Sequence, residues 1–64
     1  MIERMLVSVE IHNENGYSRS AQEVIYWKKP ETTEDRALFI TDILPASFKL
    51  KPGERISTWE IIQQ

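Results

Sequence analysis

Apolar and polar residues alternate strictly along Val7-Ser8-Val9-Glu10-Ile11-His12. On an extended chain that period sends Val7, Val9 and Ile11 to one face and Ser8, Glu10 and His12 to the other, which predicts a half-buried strand. Asn13-Glu14-Asn15-Gly16 follows with residues that accept positive φ, so the chain turns there. A second strand is read from Gln22 to Lys29, where Glu23-Val24-Ile25-Tyr26-Trp27 is β-branched and aromatic and Pro30 closes the run. A helix competes for this stretch, because Ser20 and Glu23 have capping-box spacing and Ala21, Val24 and Ile25 recur at helical spacing. The strand reading takes precedence. Consecutive Val, Ile, Tyr and Trp lose side-chain freedom in a helix, and so short a helix has little stability of its own.

Two readings fit Arg36 to Leu44, which carries Ala37, Leu38, Phe39, Ile40, Ile43 and Leu44. In one, Thr33 caps a helix with Glu34 and Asp35 in its first turn and Pro45 as its stop; in the other, Leu38 to Thr41 is a strand beside Gln22 to Lys29. Further on, Phe48-Lys49-Leu50 alternates, and Lys51-Pro52-Gly53-Glu54 places Pro and Gly at the two centres of a type II turn. Arg55 to Ile62 is extended again, which predicts a hairpin. Its second arm is out of phase: Trp59 and Ile61 share one face, Ile56 and Ile62 the other, as a bulge or burial on both faces would produce.

Together these elements predict one domain over residues 1–64. The expected fold is mainly β, a small antiparallel sheet or partial sandwich of four to five strands, with one short helix if the middle segment is helical, the α+β alternative. At 64 residues a single core is already marginal. The usual braces of small domains are missing, since the chain has no cysteine and one histidine, His12. Self-association or a partner surface is the remaining source of support. The absence of cysteine and of any Asn-x-Ser/Thr sequon points to the cytoplasm. Glu3 and Arg4 interrupt the first apolar run, so neither a signal peptide nor a membrane span is expected. The net charge of −2 comes from scattered residues, which disfavours non-specific nucleic-acid binding.

Three stretches, Val7-Ser8-Val9-Glu10-Ile11-His12-Asn13, Glu23-Val24-Ile25-Tyr26-Trp27 before Pro30, and Phe48-Lys49-Leu50-Lys51-Pro52-Gly53-Glu54, resemble the fibronectin-III-like or immunoglobulin-like β-sandwich modules appended to larger proteins. Together with the last strand that follows them, they cover somewhat under half of the chain. The resemblance implies a compact partial sandwich with a structural or binding role, and it carries over no catalytic residue. A full sandwich of this kind takes about seven strands and about 100 residues, more than this chain holds.

Candidate chemistry is sparse. His12 stands on the polar face of the first strand without a companion base or nucleophile. Glu34, Asp35 and Asp42 lack the alternating carboxylates and central glycine of a calcium loop, so no metal and no cofactor are expected. Tyr17, Arg19, Tyr26, Lys28 and Lys29 are where aromatic and basic residues gather, and as one patch they suit a protein interface or a short nucleic acid. Trp59, between Thr58 and Glu60, is a further candidate anchor. Trp27 shares parity with Ile25 and is read as core. A long apolar last strand would also leave a sheet edge free to pair with a protein partner or a second copy. The expected function is a non-enzymatic interaction module that binds and modulates a larger protein, with a nucleic-acid-binding module or a homo-oligomeric structural subunit as alternatives.

Overall fold

The computed structural model describes residues 1–63. Its framework is a sheet in the order β2-β1-β3, formed by β1 (Glu3–Asn13), β2 (Ser18–Trp27) and β3 (Glu54–Gln63), with both neighbours antiparallel to β1. The alternation in the sequence is realised in β1. Met5, Val7, Val9 and Ile11 are buried on its inner face, while Arg4 and Glu10 are exposed on the other. A four-residue loop joins β1 to β2. Gly16 takes φ +85° there, and the Asn13 side-chain oxygen accepts from the Asn15 and Tyr17 N–H groups at 2.9 and 3.0 Å. β2 then pairs with β1 without a break from Ser18 to Trp27, burying Ile25. The strand is therefore longer than the sequence pattern suggests at its start, and Ser20 and Glu23 cap nothing.

The middle segment is helical. α1 (Thr33–Leu38) is followed by a π-helical turn (Phe39–Ile43) and α2 (Leu44–Phe48). The cap is Thr32, one residue ahead of the expected Thr33, and its hydroxyl accepts from the Asp35 N–H at 3.0 Å. Pro45 does not stop the helix, contrary to expectation. The wide turn before it sends the Leu44 N–H to the Phe39 carbonyl, five residues back, and such widening makes room for a proline ring that an ordinary α-turn would set against the preceding carbonyls. The helix ends at Lys49, in the left-handed conformation at φ +50°.

Phe48 thus closes a helix and is buried in the core, so Phe48-Lys49-Leu50 is not the first arm of a hairpin. The turn itself is present. Glu54 N–H donates to the Lys51 carbonyl at 3.0 Å around Gly53, whose φ is +85°, but it links a helix to β3. In β3 the phase conflict is resolved by a bulge. Ile56 faces Ile11 and Trp59 faces Val9, with Ser57 as the unpaired residue between them, so Ile56, Trp59 and Ile61 all turn inward. The Ser57 hydroxyl donates to the Glu10 carbonyl at 3.3 Å. A second irregularity skips Ile62.

The core is Met5, Val7, Val9, Ile11 and Ile25 from the sheet, packed with Phe39, Leu44 and Phe48 from the helical segment. Three strands are present among the described residues, in place of the expected four to five, because the middle segment covers the inner face as helix. A single sheet with a helical layer is the α+β alternative, and the helix lies where a sandwich would place its second sheet. Among the described residues no helix is long and apolar enough to cross a membrane.

Phe39 is fully buried and touches both layers, its ring centroid 5.2 Å from that of Trp59. Truncation to alanine costs about 3–5 kcal/mol at a site of this kind. Phe39→Ala is therefore expected to abolish the cooperative urea transition seen by circular dichroism; an unchanged midpoint would contradict this packing.

Candidate interaction surface

The six residues singled out by the sequence are not brought together. Tyr17 and Arg19 lie at the hairpin end of β2, whereas Tyr26, Lys28 and Lys29 lie at its other end, about 23 Å away at ~3.3 Å per residue. They also differ in face. Arg19 stands opposite the inward Ile11, and Tyr26 stands opposite the outward Arg4. The expected single aromatic and basic patch does not form, because six residues of strand lie between Arg19 and Tyr26 and those two face opposite ways.

Three of the six are occupied internally. Arg19 makes a side-on bidentate pair with Glu54, donating from Nε and Nη2 at 3.1 Å each. The pair reaches across the end of β1 from one edge strand to the other. Glu54 Oε1 also accepts from the Lys51 N–H at 2.8 Å, so one carboxylate ties β2, the turn and β3. Lys28 Nζ sits 3.0 Å from Asp35 Oδ1, and that ammonium, with the Thr32 hydroxyl and N–H behind it, holds the Asp35 carboxyl below the usual range. Trp59 faces inward against Phe39, with the Arg36 guanidinium 5.8 Å above its ring. Tyr17, Tyr26 and Lys29 remain exposed.

The face of the sheet away from the helix has no covering layer among the described residues, and its two ends differ. Toward the hairpin it is polar, with the cross-strand pairs Ser8–Gln22, Glu10–Ser20 and His12–Ser18. Toward the C-terminal end of β2 it is apolar. Leu6 and Val24 are directly opposed, Tyr26 is the next outward residue, and Ile62 follows at the β3 margin. Val24, Tyr26 and Ile62 are 38%, 64% and 47% exposed, values that mark this end as surface and not as core. Arg4, opposite Tyr26, places positive charge beside it, whereas Lys29 lines a hollow with Arg36 and Trp59. The sequence reading missed Leu6 and Val24. Extending the β1 alternation back by one residue places Leu6 on the outward parity, and that was the available signal.

The edges differ as well. β3 is interrupted at Ser57 and Ile62, whereas β2 is regular along its whole length. A polar depression on the outward face is lined by Ser8, Glu10, Ser20, Thr58 and Glu60. His12 Nε2 lies 2.9 Å from Glu10 Oε1 at the surface, and among the described residues no hydroxyl completes a relay with them. No group of three or more His, Asp or Glu side chains there could hold a metal ion, again among the described residues. Compared with protein-family models, curated proteins and solved structures, the chain matches none.

Glu54 gives this end of the sheet a pH signature. Hydrogen bonds from Arg19, and then from the Lys51 N–H, lower its carboxyl from 4.5 to about 2. A depressed carboxyl contributes stability that is complete above its unfolded value and is lost as pH falls through the folded one. The stability gap between wild type and Glu54→Gln is therefore expected to be full near neutral pH and to shrink as pH falls from 4.5 to 2. Urea titrations at a series of pH values measure it, and a gap that stays constant would show that the pair is not formed in solution.

Proposed function

We propose that this chain is a non-enzymatic interaction module of the cytoplasm that binds and modulates a larger protein, as an inhibitor or adaptor, through the uncovered face of its sheet. One observation carries the reading. In a chain this short, Leu6, Val24 and Tyr26 are left on an open face at neighbouring cross-strand positions when the opposite face already has its helical cover. An aromatic residue beside two aliphatic ones is the composition of an interface centre, where partial desolvation and shape fit give most of the affinity. Arg4 beside them suits a partner whose apolar segment is flanked by a carboxylate.

The nucleic-acid alternative needs Tyr17 and Arg19 next to Tyr26 and Lys28. With those groups at opposite ends of β2 and Arg19 and Lys28 held in ion pairs, the protein reading is the better supported.

The test compares three baits in affinity capture with quantitative mass spectrometry: wild type, Val24→Lys/Tyr26→Ala, and Ser18→Lys at the polar end as a control. Wild type and control are expected to retain the same protein, and the double variant to bind it at least ~30-fold more weakly, the loss of about 2 kcal/mol typical of an interface anchor. Equal retention by all three, with circular dichroism unchanged, would overturn the reading.

A further inference from the structure

We infer that two copies of this chain associate along β2, antiparallel and about a two-fold axis at Ala21, so that the sheet continues through the dimer in the order β3-β1-β2-β2-β1-β3. The first support is the backbone. The Asn13 N–H donates to the Tyr17 carbonyl at 2.9 Å, which fixes the phase of the β1–β2 ladder: odd-numbered residues of β2 bond to β1, and Ser18, Ser20, Gln22, Val24 and Tyr26 aim their N–H and C=O groups outward. Natural edge strands are commonly blunted by bulges, proline or inward-pointing charges. β3 is irregular at Ser57 and Ile62, whereas β2 has no bulge and no proline, and its two inward charges, Arg19 and Glu23, are of opposite sign.

The second support is the side-chain pattern, which selects one register. Opposed residues in an antiparallel pair share a face, so the inward residues of β2 meet the inward residues of its copy. Near the middle of the strand these are Arg19, Ala21 and Glu23; the first and last are exposed and Ala21 is half-buried. An axis at Ala21 sets each Arg19 directly opposite Glu23 of the other copy, twice by symmetry. An axis at Glu23 would oppose two carboxylates, and an axis at Gln22 would set Arg19 against Ile25. The bond to Glu54 uses only Arg19 Nε and one Nη, so the guanidinium retains N–H groups for a second carboxylate. Glu23 has no ion-pair partner among the described residues.

The same axis makes Ser20 with Gln22, and Ser18 with Val24, hydrogen-bonded pairs between the copies, giving about eight backbone bonds in all. Ala21 meets its own copy in a non-hydrogen-bonded pair, where Cα atoms approach to about 4.5 Å and a small side chain is required. Edge pairing of this extent buries little area, so the dimer forms in a concentration-dependent equilibrium. Val24 enters the seam opposite Ser18 of the other copy while Leu6, on β1, stays clear of it, and the cross-linking test below reads the dimer without reference to the function proposed above.

The chain has no cysteine, which allows a direct test. Under mild oxidation Ala21→Cys is expected to give a disulfide-linked dimer on a non-reducing gel, since the Cα separation at the axis lies within disulfide range. Ser20→Cys, offset from its own copy by two positions, is expected to cross-link far more slowly. Gln22→Pro removes an outward N–H without touching the β1 ladder, and Glu23→Lys opposes like charges. Both are expected to keep the circular dichroism of the wild type and to sediment as monomers at concentrations where wild type is dimeric. A wild-type chain that stays monomeric over the concentration series, equal cross-linking by both cysteine variants, or a dimer that persists in folded Gln22→Pro would each overturn the inference.

Discussion

Burial of the inner face of β1 is the constraint on which the other elements depend. Met5, Val7, Val9 and Ile11 lie in the central strand, and each needs neighbours on both sides and a layer above. β2 contributes Ile25, with Ala21 and Trp27 packed partly against the core, and β3 contributes Ile56, Trp59 and Ile61. The layer above comes from Phe39, Leu44 and Phe48. In so small a chain these apolar contacts stand against the whole conformational entropy of folding, without disulfides to reduce it.

Two local departures from regular geometry let the periods of the sequence meet that constraint. In β3, Ile56 and Trp59 are three residues apart and would face opposite ways on a regular strand. The extra residue at Ser57 restores their phase, and its hydroxyl answers the Glu10 carbonyl. In the helical segment, the wide turn at Phe39–Ile43 accommodates Pro45 and lets the chain continue to Phe48. Without that continuation Phe48 could not join Leu44 and Phe39 against the sheet. In each case a small local irregularity is outweighed by the apolar side chains it delivers to the core.

The polar contacts are arranged around this core and not within it. Among the described residues no polar or charged side chain is buried. Arg19, Glu54 and the Lys51 N–H close the hairpin end, and Lys28 with Asp35 ties the end of β2 to the start of α1. These pairs engage the Lys28 ammonium and part of the Arg19 guanidinium. The surface left over is one open sheet face with an apolar end and one regular edge, and both are places where another polypeptide can complete what the monomer leaves unpaired.

The sequence by itself determined the elements whose cues are local: β1 from its period of two, the turn at Gly16, the extended run ending at Trp27, the turn at Gly53 and the irregularity in β3. Steric preference and alternation act over a few residues, and those residues are adjacent in the chain. The middle segment was legible only as two competing readings, because a run such as Ala37 to Leu44 satisfies a helix or a strand until the sheet presents a face to cover. Tertiary structure decided that Phe48 ends a helix, that Trp59 turns inward, and that Arg19 binds Glu54 across β1. It also decided that Leu6, Val24 and Tyr26 share an open face while Tyr17 and Arg19 do not join them. Such groupings depend on register and on which face is covered, and both are set by contacts between residues far apart in sequence, to which local periodicity is blind.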